Sequence, residues 1–258
     1  MDYSTLIVTE AEGVGTISLN RPTLMNALNA QMRAEILHAV QDLSKRARVL
    51  VLTGEGRAFC SGQDLGDGAS VDDLDLGRIL REEYEPMLRA IYDCPLPVIS
   101  AVNGAAAGAG ANLALAADVV IASQSAVFLQ AFSRIGLIPD AGGTYWPPRQ
   151  VGFARAMGQA LFAEKVTADE AANMGMIWAS VPDEAFAAEW KRRAAQLASG
   201  PTLAYGAIKR GLRQSLENTL DQQLSLEAEL QGECGKSRDF REGVMAFLEK
   251  RPAKFEGR

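Results

Sequence analysis

Residues 98–118, VISAVNGAAAGAGANLALAAD, are the stretch that decides the fold. Pro95 and Pro97 lie just before it and force an extended start, so residues 98–102 are predicted to form a strand. Residues 104–110 contain only glycine and alanine and are predicted to form a tight turn, which residues 111–117 continue as a short buried helix. A strand that leads through such a turn into a buried helix is typical of a layered α/β fold.

The same alternation extends in both directions from this stretch. Before it, the pattern predicts strands at 6–9, 15–19 and 49–53, an amphipathic helix at 29–46 and a helix from about Leu74 to Tyr92. After it, the pattern predicts a strand at 119–122, a helix opened by the capping box Thr167-Ala168-Asp169-Glu170 and ending near Gly175, and helices at 183–199, 202–216, 220–233 and 237–250. We therefore predict an α/β core over 1–199 and a C-terminal helical region over 200–258.

The amino-acid composition argues against several classes of partner and of catalytic site. The 258 residues include 26 Lys plus Arg against 32 Asp plus Glu, a net charge of −6, so neither nucleic acid nor an anionic membrane is an expected partner. Cys60, Cys94 and Cys234 are widely spaced, which predicts no disulfide framework, no metal cluster and a reducing, cytoplasmic location. No export signal or membrane span is predicted. The one histidine, His38, lies in the helix at 29–46 as a surface or packing residue, so catalysis must depend on carboxylates, backbone amides or a cofactor.

Two glycine-containing loops follow strands and could bind a ligand through their backbone. Residues 58–65, AFCSGQDL, follow the strand at 49–53, and residues 103–112, NGAAAGAGAN, lead into a helix whose first amides lack intrahelical partners. One amide from each loop could form an oxyanion hole, and the alternative interpretation of the same small residues is tight packing of a helix on a sheet. A dinucleotide-binding fingerprint is incomplete, because its third glycine position is Leu113.

A third loop, residues 136–144 (GLIPDAGGT), carries a carboxylate among apolar and glycine neighbours. Partial burial would raise the pKa of Asp140 and suit it to proton transfer. The alternative interpretation is an N-cap for a helix that begins near Gly142. Four aromatic side chains in the neighbouring sequence could line a flat apolar pocket or belong to the core: Phe128, Phe132, Tyr145 and Trp146.

Taken together, these loops resemble the enoyl-CoA hydratase/isomerase (crotonase) family. The matching motifs run in the family's order across residues 5–180, and they are Asn20-Arg21-Pro22 with Asn26-Ala27-Leu28, then 58–65, 103–118 and 136–144, with 241–251 resembling the C-terminal helix. The resemblance implies a spiral core of repeated strand-strand-helix units and a C-terminal helical region that forms homotrimers or homohexamers. It implies acyl-CoA thioesters as substrates, with coenzyme A as part of the substrate and no separate cofactor or metal. The joint match favours the ligand-binding interpretation of the loops and a catalytic role for Asp140.

The resemblance also assigns roles to individual residues. It implies that the backbone amides of Gln63 and Ala109 hold the thioester oxygen, with side-chain identity mattering little, and that Asp140 is the acid/base. Contacts with substrate or CoA are implied for Ala27, Gly62, Asp64, Leu65, Gly66, Phe132 and Lys250. Lys250 or Lys254 could reach the CoA phosphates from a neighbouring subunit, and a solvated helix end is an equally good interpretation of both.

Departures from the family pattern favour an isomerase. Family hydratases use two glutamates, and the matching positions here are Asn112 and Phe132, neither of which can transfer a proton as a carboxylate. One carboxylate suffices for an isomerase, because it can take a proton from one carbon and return it to another. A family dehalogenase needs a histidine, and His38 is in the wrong motif. The detailed motifs are most similar to those of members that convert ring-1,2-epoxyphenylacetyl-CoA to its oxepin form. The alternatives are a cis-3/trans-2 enoyl-CoA isomerase and a non-catalytic CoA- or RNA-binding member.

Overall fold

The computed structural model describes residues 2–66 and 75–258, and the strands in this part of the chain form two sheets. The strands are β1 (Leu6–Ala11), β2 (Val14–Leu19), β3 (Val49–Gly54), β4 (Ala58–Cys60), β5 (Val98–Val102), β6 (Ala105–Ala107), β7 (Val119–Ser123), β8 (Val127–Leu129), β9 (Lys165–Thr167) and β10 (Ala179–Val181). The larger sheet has the order β1-β2-β3-β5-β7-β10, and the smaller has the order β4-β6-β8-β9. The β1–β2 and β8–β9 pairs are antiparallel, and all other neighbours in the two sheets are parallel.

Helices cover the sheets and make up the C-terminal region. They are α1 (Ala30–Leu43), α2 (Leu76–Ile79), α3 (Glu85–Tyr92), α4 (Ala109–Leu115), α5 (Trp146–Val151), α6 (Phe153–Phe162), α7 (Ala168–Asn173), α8 (Asp183–Ala198), α9 (Thr202–Gln214), α10 (Leu220–Cys234) and α11 (Arg238–Leu248). A π-helical turn, Leu80–Tyr84, joins α2 to α3, and Pro22–Leu24 and Phe132–Ile135 are short 3₁₀ helices. None of the helices in the described residues is long and apolar enough to cross a membrane.

The chain repeats one unit, in which a strand of the larger sheet is followed by a strand of the smaller sheet and then a helix. The successions β3-β4-α2/α3, β5-β6-α4 and β7-β8-α5 each follow this plan. Because the first strands of successive units pair in parallel and the second strands do the same, each unit stacks on the one before it. The loops that join the smaller-sheet strand of each unit to its helix therefore lie on the same side of the stack.

Both faces of the central strands of the larger sheet, β3 and β5, are buried. Alternate residues of β3 point to opposite faces, as the two-residue period of a strand requires. Leu50 and Leu52 belong to the main core beneath α1, α3 and α4, whereas Val49 and Val51 pack with Phe186 and other residues of α8. A sheet covered on both sides explains why these parallel strands are almost uninterrupted apolar runs.

Most of the predicted elements are present, with some corrections. The α/β core and the C-terminal helices are confirmed, and Thr167 and Glu170 form the expected capping box at α7. The predicted start of a helix at Leu74 lies outside the described residues. The prediction of a helix from near Gly142 is wrong, since residues 141–145 form turns and α5 begins at Trp146. The elements that were not predicted from the sequence are β4, β6, β8, β9, β10 and α6, and the five strands are each only three residues long.

Candidate active site

Two loops of successive units pack against each other through glycine. A Cβ atom on Gly110, near the start of α4, would collide with the carbonyl of Cys60 at the end of β4. Gly62 has φ +96°, and a Cβ atom there would lie 2.8 Å from the carbonyl oxygen of Ala107 and 3.4 Å from the amide nitrogen of Ala109. Only glycine allows this approach and this backbone conformation. The loop after β4 is therefore held against the N-terminus of α4.

This packing places the amides of Gln63 and Ala109 on two adjacent loops. Ala109 is the first residue of α4, so its N–H has no partner within the helix. Gln63 forms an isolated parallel bridge with Leu28, in which Leu28 donates to the Gly62 carbonyl (2.8 Å) and Asp64 donates to the Leu28 carbonyl (3.1 Å). The amide of Gln63 faces away from Leu28 in such a bridge. Within residues 2–66 and 75–258, neither amide has a hydrogen-bond acceptor.

Asp140 carries a half-buried carboxyl group in the loop before α5. Its Oδ1 atom is inaccessible to solvent and has no hydrogen-bond partner among the described residues. Burial raises the pKa of Asp140 to about 6, because the charged form loses hydration that nothing replaces. The N-cap interpretation is wrong, since the residue before α5 is Tyr145 and the side chain of Asp140 caps no helix. A carboxyl in this state can accept and return a proton near neutral pH.

Asn112 connects the Asp140 loop to the helix that carries Ala109. Its Nδ2 donates to the Asp140 carbonyl at 2.7 Å, and its Oδ1 accepts from Nε2 of Gln130 at 2.8 Å. Asn112 is fully buried and lies three residues after Ala109, so the two are about one turn of α4 apart. Asn112 therefore fixes the position of the Asp140 backbone relative to the amide of Ala109.

A cavity of about 990 Å³ opens beside Asp140. It lies between the π-helical turn with α3, the loop around Asp140, and α9. One part of its wall is aromatic and apolar and includes Tyr84, Leu88, Tyr92, Ile138, Tyr145 and Trp146, and charged residues such as Arg81, Arg89, Lys209 and Arg213 line the rest. Tyr92, Tyr145 and Trp146 form a cluster with ring centroids 6.2 to 6.4 Å apart. The aromatic part of the wall is suited to a ring-containing group of a ligand.

The remaining predicted contact residues fall into two groups. Ala27, Asp64 and Gly66 are connected through Arg21. The Arg21 side chain donates to the Ala27 carbonyl (2.6 Å) and forms an ion pair with the Asp64 carboxylate (2.8 Å). The same carboxylate accepts a hydrogen bond from the Gly66 amide (3.0 Å). Burial raises the pKa of Asp64, but the hydrogen bonds from Arg21 and Gly66 outweigh it, and the net shift is downward. This group stabilises the loop that carries Gln63.

Three further predicted residues differ in their surroundings. Phe132 is buried, and its ring lies 3.7 Å from where a Cβ atom on Gly108 would be, next to the start of α4. Leu65 is exposed at the edge of its loop. Lys250 follows α11 in an exposed turn with φ +54° and does not line the cavity beside Asp140. Its predicted contact with CoA bound by a neighbouring subunit stays a prediction.

Arg33 and Tyr84 were not predicted from the sequence, and Asn112 was noted there only for lacking a carboxylate. Arg33 is buried on the inner face of α1, and Tyr84 is buried in the π-helical turn. An available signal was the position of Arg33 three residues before Ile36, which places a cation on the apolar face of an amphipathic helix. His38 accepts or donates a hydrogen bond with the Tyr3 hydroxyl at 2.9 Å, which confirms its packing role.

Comparison with known proteins identifies the family. The family model described as enoyl-CoA hydratase/isomerase matches residues 9–258, and the chain belongs to this family. It is 64% identical to a protein of Rhodobacter capsulatus named "Probable enoyl-CoA hydratase", and the match covers 100% of both chains. It is 47% identical to the 1,2-epoxyphenylacetyl-CoA isomerase of Escherichia coli K12, with 96% of each chain covered.

The fold prediction is confirmed by a solved structure. The crystal structure of an enoyl-CoA hydratase subunit I from Geobacillus kaustophilus HTA426 matches with a TM-score of 0.93, at 33% identity and with 100% of both chains covered. The crotonase-like spiral with its C-terminal helices is therefore the fold of this chain. One relative is named as a hydratase and another as an isomerase, so the reaction has to be argued from the site.

Proposed function

We propose that the protein is an isomerase of acyl-CoA thioesters that converts ring-1,2-epoxyphenylacetyl-CoA to its oxepin form. The amides of Gln63 and Ala109 hold the thioester oxygen, and the carboxylate of Asp140 removes a proton from the carbon next to the thioester. Negative charge then builds on the oxygen that the two amides contact. As the epoxide ring expands, Asp140 returns the proton to a ring carbon, so no water is consumed or released.

The observation that carries the proposal is the state of Asp140. It is a half-buried carboxyl group whose Oδ1 atom has no hydrogen-bond partner among the described residues. It borders an aromatic-lined cavity, and the amide-bearing helix α4 is tied to its loop by Asn112. A general base works best when its pKa lies near the working pH, and burial brings Asp140 to about 6.

A hydratase is the competing reaction, favoured by the name of the 64% identical relative. Adding water to a double bond needs one group to activate water and a second to handle the proton. At the two positions where the resemblance implies glutamates, this chain has Asn112, whose amide is engaged by Asp140 and Gln130, and Phe132. A single carboxylate supports proton transfer between two carbons, so these contacts favour isomerisation.

The aromatic wall of the cavity favours an aryl substrate over an aliphatic one, as does the 47% identity to an epoxyphenylacetyl-CoA isomerase. The second candidate is a cis-3/trans-2 enoyl-CoA isomerase, because the same carboxylate could move a proton along an aliphatic chain. The retained Asp140 and the net charge of −6 argue against a non-catalytic RNA-binding role.

The test is turnover of three purified substrates: ring-1,2-epoxyphenylacetyl-CoA, a cis-3-enoyl-CoA and crotonyl-CoA. We expect the epoxide to be isomerised fastest and crotonyl-CoA not to be hydrated at a comparable rate. Double-bond migration without epoxide turnover would establish the second candidate instead. Rapid hydration of crotonyl-CoA would contradict the one-carboxylate mechanism, and no turnover of any of the three would favour a non-catalytic role.

The Asp140→Asn variant tests the role of the carboxyl group. It keeps the size of the side chain but cannot carry the proton, so turnover should fall about 10²- to 10⁴-fold. Binding of the thioester should persist, because it depends on backbone amides. The control is Asp42→Asn, which neutralises an exposed carboxylate on α1 that pairs with Arg46, and should leave turnover unchanged. Equal turnover of the Asp140→Asn variant and the parent would exclude Asp140 as the base.

We also propose that the protein assembles as a homotrimer or a pair of trimers through its C-terminal helices. Leu203, Ile208, Leu212 and Leu224 are exposed in the single chain and available for such contacts. Leu230 is different, since it is already buried within its own chain.

A further inference from the structure

The side chain of Gln63 is held by two separate elements. Its Oε1 atom accepts a hydrogen bond from the Tyr84 hydroxyl at 2.6 Å and another from Nη1 of Arg33 at 2.9 Å. Its Nε2 atom donates to the carbonyl of Asp64 at 3.3 Å. Three hydrogen bonds thus fix a side chain whose own backbone amide is one of the two proposed oxyanion donors.

Arg33 extends this network to the strand bridge at Gln63. Its Nη1 atom also donates to the Leu28 carbonyl at 2.7 Å, the same carbonyl that accepts from the Asp64 amide. Its Nε and Nη2 atoms bind one carboxylate oxygen of Glu83 at 3.1 and 2.6 Å. One guanidinium therefore contacts both members of the Leu28–Gln63 bridge.

The network is buried, and its charges are compensated. The Arg33 side chain is 3% exposed, and Tyr84 is also 3% exposed. Removing a guanidinium from water costs several kcal/mol unless it is paired, and here Glu83 supplies the pair while the Tyr84 ring lies 4.8 Å from the guanidinium carbon. Burial raises the pKa of Tyr84 above its ordinary value, so its hydroxyl stays protonated and remains a donor at neutral pH.

Tyr84 links this network to the reacting region, since its side chain also lines the cavity that Asp140 borders. Glu83 and Tyr84 belong to the π-helical turn, and Arg33 belongs to α1. The network therefore joins two helices to the loop after β4.

We infer that Arg33 and Tyr84 are positioning residues, which act through the Gln63 side chain to aim the Gln63 amide at the thioester oxygen. The inference rests on the proposed function. An oxyanion donor is effective only at about 2.7 to 3.1 Å from the developing charge, so a small rotation of the Gln63 peptide weakens it. The side chain of residue 63 therefore matters, although only its backbone contacts the substrate.

The experiment uses Tyr84→Phe and Gln63→Met, which remove hydrogen bonds while preserving side-chain size. Tyr84→Phe keeps the ring beside Arg33. Each variant should lower kcat for the epoxide about 3- to 10-fold and leave KM within about twofold, because the lost interaction acts mainly in the transition state. The double variant should be no slower than the slower single variant, since both changes break the same contact. Tyr205→Phe, a tyrosine outside the network and the site, is the matched control.

A second readout is the carbonyl stretch of bound phenylacetyl-CoA labelled with ¹³C at the thioester carbon. In the parent protein the stretch should lie below that of the free thioester in water, and in both variants it should move back toward the free value. Unchanged stretches and unchanged kcat in the variants, with a lowered stretch in the parent, would overturn the positioning role alone. A parent that does not lower the stretch would instead overturn the oxyanion hole itself.

Discussion

At the scale of single residues, Asp140 combines burial with the absence of a stabilising partner. The buried carboxylate Glu35 is compensated: burial raises its pKa, but hydrogen bonds from Ser4, Thr5 and Gln31 lower it to about 2. Asp140 has only the burial, and its pKa rises to about 6. Glu35 therefore stabilises the fold when ionised, whereas ionised Asp140 destabilises it.

The first prediction is that Asp140→Asn stabilises the fold at neutral pH. The folded state holds the Asp140 proton more tightly than the unfolded state. The folded protein therefore loses stability as the pH rises from about 4 to about 6, and this loss stays constant at higher pH. The variant has no such cost and should be about 1 to 2 kcal/mol more stable at pH 7.5, which is less than the full shift in pKa implies because part of the carboxyl group is exposed to solvent. Thermal unfolding of both proteins from pH 4 to 8 measures this.

The difference between the two unfolding temperatures should shrink toward zero near pH 4, where the parent carboxyl is also neutral. A constant difference across this range would show that the variant acts through packing and not through the charge of Asp140.

The second prediction concerns Asn112, which holds the Asp140 backbone. Asn112→Leu keeps the approximate volume but leaves the Asp140 carbonyl and the Gln130 amide without their partner, and each loss costs about 1 to 3 kcal/mol if the group stays buried. We expect lower stability and a fall in kcat of about 10- to 100-fold, since small displacements of a catalytic group have large effects.

Urea unfolding and steady-state kinetics of the Asn112→Leu variant provide the two measurements. Leu113→Met, a neighbouring core change of similar volume, is the control and should cost less than about 1.5 kcal/mol. Loss of stability without loss of kcat would show that Asn112 supports the fold but does not position Asp140.

At the scale of elements, the sequence predicted strands of five or six residues and missed strands of three. Apolar runs such as β3 and β5 are visible in the sequence because both faces are buried. β4, β6 and β8 are too short to show a period of two, and they exist because equivalent strands of successive units pair in the smaller sheet. The loops of the site could be predicted from their glycines, because the close approach of two backbones requires glycine.

The network around Gln63 could not be predicted from the sequence in the same way. Arg33, Gln63 and Tyr84 are far apart along the chain, and their contacts depend on how α1 and the π-helical turn pack. Asp140 illustrates the opposite case, since its proline, glycine and apolar neighbours already indicated a buried carboxyl. What the sequence could not provide was the helix boundary at Trp146, which excludes the capping role.

The third prediction concerns the attachment of α9 to the core. Asp118, next to β7, accepts hydrogen bonds from Lys209 at 2.9 Å, Arg213 at 2.7 Å and the Val98 amide at 2.8 Å. Lys209 is only 9% exposed, and its burial lowers its pKa although Asp118 opposes the shift. Asp118→Ala leaves this ammonium buried without its counter-ion and should destabilise the fold by about 3 to 5 kcal/mol.

Lys209→Met is the matched change, because it removes the charge that needs a partner and keeps the apolar stem. It should cost less than about 2 kcal/mol, since replacing a buried ion by an apolar side chain is often nearly neutral. Chemical denaturation gives both values, and hydrogen exchange of α9 should increase only in Asp118→Ala. Equal destabilisation by the two variants would mean that the ion pair does not anchor α9.

At the scale of the whole molecule, the single chain exposes two separate apolar surfaces. The C-terminal surface lies on α9 to α11, and its exposed members include Leu212, Leu224, Phe247 and Leu248. The α6 surface consists of Phe153, Met157, Leu161 and Phe162, four exposed side chains on one short helix. Clusters of exposed apolar side chains often mark interfaces. If the C-terminal surface of one copy packs on the α6 surface of the next, the contact is heterologous and can close into a ring.

The last prediction tests whether these two different surfaces pair with each other. Leu212→Glu on the C-terminal surface and Phe162→Glu on the α6 surface should each convert the proposed trimer, or pair of trimers, into monomers in sedimentation velocity, because each places a charge in an apolar contact. Ile7→Glu, at an exposed apolar position on β1 outside both surfaces, should leave the assembly intact.

A mixture of the two disrupted variants retains one unaltered pair of surfaces, the α6 surface of the Leu212→Glu chain and the C-terminal surface of the Phe162→Glu chain. The mixture should therefore form heterodimers that neither variant forms alone. If each variant disrupts the assembly but the mixture stays monomeric, the two surfaces do not pair with each other and the ring model is wrong.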